Sequence, residues 1–219
     1  MRAAHPVRWG NLRRLDPIDD TDGAGRGTPI HRYYEAAFVD AHSANVRGRV
    51  LEYAQAAHSR RLGHDLATVD VLDIDPHNPA ATVLADLGDH GSLPAGEYDC
   101  VVVGDALRYV PDLDAAIANL WQSLDEGGVL LLVSPVVAAC RDDGPRLDRW
   151  RLLPAVLEEA LMRADERADL EVVTFGNRLS ASAALAGLAA EDLRVEELAA
   201  HDSRFPVVVA ARAAKPGAP

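Results

Sequence analysis

Long apolar runs are missing from this sequence. No run approaches the roughly 20 residues that a membrane-spanning helix requires. The arginine-containing N-terminal stretch also lacks the apolar core of a signal peptide. We therefore expect a cytoplasmic protein that does not associate with a membrane.

Cysteine and positive charge are also scarce. The two cysteines, at 100 and 140, do not form a metal-ligand cluster, and we predict no metal site. Cys100 lies inside an apolar run, where a buried structural role is expected. Lys and Arg total 22 against 34 Asp and Glu, which gives a net charge of −12. Because such a surface repels a phosphate backbone, we do not expect nucleic acid as the substrate.

Four short apolar runs, each bounded by acidic or glycine-containing turns, dominate the middle of the chain. They occupy 69–75, 81–87, 98–105 and 127–135. Such runs fit strands that are buried on both faces of a parallel sheet. Parallel sheets bind ligands beyond the carboxyl ends of their strands, so Asp75, Asp86 and Asp105 are expected to meet at one rim.

The remaining pattern alternates between helices and strands, which predicts a three-layer α/β domain. Strands are predicted at 49–52, 170–175 and 206–211, and helices at 29–44, 151–167 and 178–199. A short helix within 54–63 is expected to stop at Gly63, and a helix capped by Asp112 is expected to end at Gly127 and Gly128. We predict an irregular segment at 1–28, one domain at 29–212 and a flexible tail at 213–219.

Several segments resemble class I S-adenosylmethionine-dependent methyltransferases, in particular a bacterial branch associated with natural products and glycosylation. They are Arg-Gly-Thr-Pro-Ile-His-Arg-Tyr-Tyr at 26–34, Arg-Gly-Arg-Val-Leu-Glu at 47–52, and the stretches at 73–87, 98–103, 124–135 and 175–177. The resemblance implies a Rossmann-like seven-stranded sheet, mostly parallel, with an antiparallel last strand. It also implies S-adenosylmethionine as the cofactor.

The resemblance assigns cofactor contacts to the ends of successive strands. Glu52 matches the acid that helps to hold the methionine part. A carboxylate can accept hydrogen bonds from both ribose hydroxyls, and Asp75 is assigned this role, with Asp73 as the alternative if the strand is shorter. Asp86 and the backbone of Leu87 match the adenine contacts. Gly104 matches the end of the fourth strand, beside the methyl group.

The loop after the first strand departs from the family pattern. Glycine usually lets the backbone approach the cofactor there, but this chain has Ala54 and Gln55, and no glycine before Gly63. Ala54 is assigned as a cofactor contact, since a slight shift of the loop accommodates its methyl group if its φ is negative. Gln55 lacks the charge that an acid would offer to the cofactor's ammonium or sulfonium group.

Candidate catalytic residues are Asp105, which follows the fourth strand, His58 in the loop after the first strand, and His201 before the last strand. Asp105 is equally suited to cap the turn that follows it. Candidate substrate contacts are Tyr33 and Tyr34 on the N-terminal helix and Trp150 after the fifth strand. Core packing of at least one of these tyrosines, and anchoring of a helix by the tryptophan, are the structural alternatives.

These observations favour a methyltransferase that acts on a small-molecule acceptor, with oxygen as the favoured acceptor atom, in natural-product or sugar metabolism. Two alternatives remain at this stage. One is a catalytically inactive methyltransferase-like binding or scaffold protein, and the other is a non-methylating enzyme on the same fold. A second copy of the chain and another enzyme of the same pathway are the candidate protein partners. A nicotinamide dehydrogenase is disfavoured because the Gly-x-Gly-x-x-Gly loop is absent.

Overall fold

A computed structural model describes residues 10–140 and 147–217 and contains a seven-stranded sheet. The spatial order of its strands is β3-β2-β1-β4-β5-β7-β6. Strands β1 to β5 are mutually parallel, whereas β7 runs antiparallel to both β5 and β6. The predicted, mostly parallel sheet with an antiparallel last strand is therefore confirmed. The strands are β1 (Gly48–Tyr53), β2 (Leu66–Asp73), β3 (Val83–Leu84), β4 (Tyr98–Gly104), β5 (Leu124–Pro135), β6 (Asp169–Phe175) and β7 (Val208–Ala214).

Helices cover both faces of the sheet because successive side chains of its strands point to opposite faces. On one face, Leu51 and Val101 join a cluster with apolar residues of the third and fourth helices. On the other face, Val50 and Cys100 join residues of the first, fifth and sixth helices. The helices are α1 (Ile30–Ala41), α2 (Ala57–Leu62), α3 (Leu113–Ser123), α4 (Pro154–Ala164), α5 (Arg178–Leu185) and α6 (Val195–Ala199). None of the helices in the described part of the chain has the length and apolar character that a membrane crossing needs.

The second strand ends earlier than predicted, and this changes which acid stands at the rim. β2 stops at Asp73 rather than at residue 75. Asp75 lies in the following turn, where its Oδ1 accepts a hydrogen bond of 2.9 Å from the backbone N–H of His77. An aspartate whose side chain accepts a hydrogen bond from the backbone two residues later forms a turn, and the proline at 76 favours the same turn. The strand therefore ends before this turn.

Helix α3 begins as predicted, with Asp112 accepting a hydrogen bond of 2.9 Å from the Ala115 N–H. Its predicted end at Gly127 and Gly128 is wrong. The helix stops at Ser123, and β5 already starts at Leu124, which is completely buried. The sheet therefore resumes at Leu124, which pairs with Tyr98 of β4, and the glycines lie within the strand.

The alanine-rich segment 178–199 is not one helix, because Gly187 interrupts it with a φ of 72°. A Cβ at this position would lie 1.9 Å from the carbonyl oxygen of Asp19. The N-terminal lead-in packs here: the N–H of Ile18 donates to the Ala186 carbonyl at 2.7 Å, and Arg26 forms a salt bridge of 2.7 Å with Asp192. The described part of the lead-in, from residue 10, thus contacts the C-terminal half of the domain.

The last strand extends three residues beyond the predicted end at 211. Ala213 and Ala214 pair with Leu130 and Val129 of β5. Lys215 continues this attachment, since its Nζ donates to the Leu124 carbonyl oxygen at 2.8 Å.

Candidate active site

Tyr53, at the end of β1, lines two cavities at the carboxyl ends of the parallel strands. The smaller cavity, of about 110 Å³, is lined mostly by apolar residues together with Asp86 and Arg149, and the larger one, of about 320 Å³, has charged or titratable side chains in its wall, including Arg32, Glu35, Glu52 and His58. Residues of the smaller cavity include Leu72, Ile74, Asp86, Leu87, Tyr109 and Arg149. Residues of the larger cavity include Arg32, Glu35, Glu52, Ala54, Gln55, His58 and Gly104.

Glu52 lines the larger cavity but is also bound to the start of α2. Its Oε1 accepts a hydrogen bond of 2.8 Å from the His58 N–H. Its Oε2 accepts from the N–H of Ser59 at 2.8 Å and from the Ser59 hydroxyl at 2.6 Å. Both oxygens of this buried carboxylate therefore hold the loop and helix that follow β1.

Ala54 has a φ of 64°, so the condition of a negative φ is not met. Its N–H donates to the Leu72 carbonyl oxygen at 2.8 Å, and the Gln55 N–H donates to the Tyr53 carbonyl oxygen at 2.8 Å. The second bond closes a three-residue turn around Ala54. The chain thus keeps a left-handed backbone, which favours glycine, although an alanine occupies the position.

Replacement of Ala54 by glycine is expected to stabilise the protein. The left-handed region costs an L-residue about 1–2 kcal/mol, of which the greater chain entropy of glycine cancels about 0.5–1 kcal/mol. A net gain of about 0.5–1 kcal/mol corresponds to a rise in melting temperature of about 1–4 °C. Thermal unfolding of Ala54→Gly measures this change.

Ala57→Gly is the matched control, because Ala57 lies in the first turn of α2 with ordinary helical backbone. Glycine in a helix lowers stability by about 0.5–1 kcal/mol, so this variant is expected to melt earlier. A decrease of similar size in Ala54→Gly would contradict the assignment of strain to Ala54.

Asp73 is the acid at the end of β2, and it is only 4% exposed. Its Oδ2 accepts a hydrogen bond of 2.8 Å from Nδ2 of Asn78, and its Oδ1 accepts from the Asp75 N–H at 3.1 Å. The same Asn78 nitrogen donates to the Ala54 carbonyl oxygen at 2.7 Å. Asn78 therefore ties the loop after β1 to the acid of β2, while Asp75 is exposed. The placement favours Asp73, the alternative, over Asp75.

Asp86 and Leu87 lie together at the smaller cavity, in a loop that α3 holds in place. The Nδ2 of Asn119 donates to the Leu87 carbonyl oxygen at 2.9 Å and to the Asp89 carbonyl oxygen at 2.7 Å. Its Oδ1 accepts from the Gly91 N–H at 2.9 Å. Sequence reasoning missed Asn119, although a polar residue beside the apolar positions of α3 was a signal for it.

Glu35 of α1 is a buried acid that reaches the end of β4. A Cβ on Gly104 would lie 2.1 Å from Oε1 of Glu35, so the glycine makes this approach feasible. Oε2 accepts from Arg32 at 2.7 Å, and Oε1 lies 3.3 Å from Nε2 of His58. Burial favours the neutral acid, but the His58 hydrogen bond and the Arg32 charge outweigh it and lower the pKa of Glu35. Nδ1 of His58 is buried without a hydrogen-bond partner in the described part of the chain.

Asp105 follows β4 with a φ of 59°. Burial raises its pKa to about 6, and the charges of Arg108 and Arg32 offset this only in part. Its Oδ1 lies 3.4 Å from Nη1 of Arg108. The next turn, Leu107–Tyr109, has no side-chain cap, so the alternative capping role of Asp105 is not observed.

Arg108 is held in place by an ion pair with Asp148. Their side chains are 2% and 1% exposed, and two guanidinium nitrogens of Arg108 contact the carboxylate. Burial opposes ionisation of Asp148, but hydrogen bonds from Arg151 and Arg108 hold its pKa well below the usual range. Asp148 thus keeps Arg108 charged and rigid beside Asp105.

Six of the predicted contacts are not among the residues that line the two cavities: Asp75, Asp105, Trp150, Tyr33, Tyr34 and His201. Trp150 donates from Nε1 to the Val110 carbonyl oxygen at 2.8 Å and anchors its segment, which was the structural alternative for this residue. Tyr33, Tyr34 and His201 line a separate groove of about 770 Å³ between α1 and β6. Tyr34 is a core residue, 2% exposed, whose hydroxyl donates to the Leu198 carbonyl oxygen at 2.9 Å. His201 pairs with the Thr174 hydroxyl at 2.9 Å.

A family model described as "Methyltransferase domain" matches residues 23–132, which is half of the 219-residue chain. The chain belongs to this methyltransferase family. The matched segment contains β1 to β4 and most of the residues of both cavities. The assignment supports S-adenosylmethionine as the cofactor of this methyltransferase.

Solved structures share the fold of this methyltransferase at low sequence identity. An S-adenosylmethionine-dependent methyltransferase from Mesorhizobium loti is 17% identical, with a TM-score of 0.56 over 85% of this chain and 98% of that one. DhpI, solved with SAH (S-adenosylhomocysteine), is 20% identical, with a TM-score of 0.55 over 91% and 92%. The [4+2]-cyclase SpnF is 16% identical, with a TM-score of 0.53 over 94% and 88%. No curated protein matches the chain.

The residues around Tyr53 fit S-adenosylmethionine in their chemistry. The smaller cavity offers apolar side chains and the Asp86–Leu87 loop to a planar base. Asp73 lies in the chain between Leu72 and Ile74 of the smaller cavity, and each of its carboxylate oxygens, which already accepts one protein hydrogen bond, has a second acceptor position for a ribose hydroxyl. The larger cavity offers the charged side chains of Arg32, Glu35 and Glu52 to charged groups of a ligand.

Proposed function

We propose that this methyltransferase transfers the methyl group of S-adenosylmethionine to a hydroxyl oxygen of a small molecule. The observation that carries the proposal is the place of Asp105, a partly buried carboxylate directly after Gly104 of the larger cavity, and its surroundings raise its pKa to about 6. A hydroxyl must lose its proton as it attacks the methyl group, and a base that titrates near neutral pH is efficient in this role.

The cofactor supplies an electrophilic methyl group when it is bound, and the chain supplies position and a proton acceptor. In this proposal Asp73 holds the ribose, and Asp86 with the Leu87 backbone holds the adenine. Glu52 and the turn at Ala54 hold the loop beside the amino-acid end.

His58 is the second candidate base. It lines the larger cavity, its Nε2 lies 3.3 Å from Glu35, and its Nδ1 has no partner in the residues described. Asp105 is preferred because it directly follows β4 and its pKa is raised toward neutrality. His201 is left out of the proposal, since it lies in the separate groove.

The net charge of −12 favours a small acceptor over a nucleic acid. A non-methylating reaction, such as a cyclisation, is the second candidate function, because a protein described as a [4+2]-cyclase shares the fold over 94% of this chain. The two candidates differ in one observable, since only methyl transfer converts the cofactor to SAH.

Incubation with S-adenosylmethionine that carries a deuterated methyl group tests the proposal. The acceptors are a panel of phenols and sugars, and the products are examined by mass spectrometry. We expect SAH together with a small product that carries the labelled methyl on oxygen. Label on nitrogen or carbon would contradict O-methylation, and an unlabelled, rearranged product would favour a cyclase.

A further inference from the structure

Arg32 and Glu35 form an ion pair one turn apart on α1, with their charged atoms 2.7 Å apart. Both residues line the larger cavity, together with Gln55 of the loop after β1. This wall therefore carries a positive and a negative charge side by side, although the loop itself has an uncharged amide at position 55.

The position of Glu35 is fixed by the surrounding protein. Its side chain is 8% exposed, lies over Gly104 and has His58 as a second partner. Arg32 is 45% exposed. A carboxylate that is removed from water in this way needs a cation close by. The exposed guanidinium, in contrast, is free to adjust to an anion that enters from the solvent.

We propose that the Arg32–Glu35 pair binds the zwitterionic amino-acid end of the cofactor, with Glu35 receiving the ammonium group and Arg32 the carboxylate. The inference rests on the proposed function and adds a residue pair to it. Glu35 provides from α1 the negative charge that the chain lacks at Gln55. The positive end of the ligand meets a carboxylate and the negative end meets a guanidinium, so neither charge of the pair is left without a partner.

The state of Glu35 at neutral pH agrees with this role. The His58 hydrogen bond and the Arg32 charge lower its pKa against the effect of burial, so the side chain is ionised before a ligand arrives. A preformed carboxylate binds an ammonium group without a change of protonation.

Calorimetric titration with three ligands tests the assignment. The ligands are SAH, its decarboxylated analogue, and 5′-methylthioadenosine, which lacks the amino-acid end. We expect Glu35→Gln to lower the affinity for SAH by about 10- to 100-fold, which is the effect of losing one charge-assisted hydrogen bond. Methylthioadenosine is expected to bind this variant as it binds the wild type. Arg32→Gln is expected to weaken SAH in the same range but to leave the decarboxylated analogue unchanged.

Two further variants separate charge from shape. Asp40→Asn breaks the ion pair between Asp40 of α1 and Arg61 of α2, both outside the two cavities, and it should leave all three affinities unchanged. Gln55→Glu, added to Glu35→Gln, returns a carboxylate to the same cavity and should recover part of the SAH affinity. No recovery would contradict the claim that the two positions serve the same charge.

The outcomes distinguish this inference from the proposed function. If Glu35→Gln weakens SAH and methylthioadenosine equally, or weakens neither, the ion pair does not recognise the amino-acid end and the inference is wrong, while the cofactor site stands. If the wild type binds neither SAH nor methylthioadenosine, the proposed function fails and the inference fails with it.

Discussion

Replacement of Asp105 by asparagine is expected to lower kcat for methyl transfer by about 10²- to 10⁴-fold, the usual contribution of a general base. Asparagine has nearly the same shape and tolerates the left-handed backbone at this position, where φ is 59°. The loss would therefore reflect proton transfer and not a distorted loop. Initial rates with saturating cofactor measure it, once an acceptor has been identified.

The pH dependence of the same reaction provides a second observable. Because a base must be deprotonated to act, kcat/KM of the wild type is expected to rise with pH and to level off above about 6, the pKa of Asp105. The Asp105→Asn variant should lack this rise. Asp114→Asn, which changes an exposed acid of α3, is the control and should keep the wild-type rate and profile. An Asp105→Asn rate within about threefold of wild type, below the range for a general base, would move the role to His58.

Stability should change in the opposite direction to activity. The pKa of Asp105 is about 6 in the folded protein and about 3.9 in an unfolded chain, so the folded state holds the proton more tightly. Protonated Asp105 stabilises the folded state below pH 4, and this stabilisation is lost as the pH rises through 6. For a side chain that is 15% exposed, the loss in the free energy of unfolding is about 1–3 kcal/mol. At pH 8 the asparagine variant is therefore expected to unfold at a higher temperature than the wild type.

The second large effect is expected at the end of β2. Asp73→Asn should weaken SAH by about 10²- to 10³-fold, because a carboxylate that accepts two ribose hydroxyls contributes about 1.5–3 kcal/mol per hydrogen bond. Asparagine keeps one acceptor oxygen for Asn78 and replaces the other with a donor. Calorimetry measures the affinity, and circular dichroism checks that the variant is folded.

Asp75→Asn is the matched control for this experiment. Asp75 lies only two residues away but is exposed, and its hydrogen bond goes to the His77 N–H in its own turn. We expect its SAH affinity to stay within about twofold of the wild type, since no charge-assisted bond to the ligand is lost. A larger loss in Asp75→Asn than in Asp73→Asn would return the ribose contact to the residue first assigned from the sequence.

The sheet could be predicted from the sequence because its strands are continuous apolar runs, and burial on both faces leaves few other structures for them. Buried Cys100 and the Asp112 cap followed from the same local rules. The end of β2 could not be predicted from these rules, because the alternation of Asp and apolar residues from 69 to 75 allows two endpoints. The turn at Asp75 and Pro76 selects between them through backbone hydrogen bonds that the pattern of residues does not reveal.

The candidate site could be predicted less completely. Glu52, Asp86, Leu87, His58 and Gly104 line the cavities because they directly follow strands or lie in the next loop. Glu35 and Arg32 were missed because their place depends on how α1 packs over Gly104, 69 residues away from Glu35 in the chain. The left-handed turn at Ala54 was missed because alanine itself disfavours it, and the Leu72 and Asn78 hydrogen bonds impose it.

These contacts bear on the alternative of an inactive scaffold. The missing glycine and the uncharged Gln55 motivated that alternative. Yet the backbone at Ala54 adopts the conformation that glycine would provide, and Glu35 brings a carboxylate to the cavity of Gln55. Both departures from the family pattern thus have a compensating feature, and cofactor binding remains the account that we favour.

A crystal structure of the protein grown with saturating SAH would show whether the two cavities at Tyr53 hold the cofactor. We expect adenine in the smaller cavity beside Asp86 and Leu87, the ribose on Asp73, and the amino-acid end at the Arg32–Glu35 pair. Crystals in which both cavities hold only solvent, or in which SAH occupies the groove at Tyr34, would contradict this expectation.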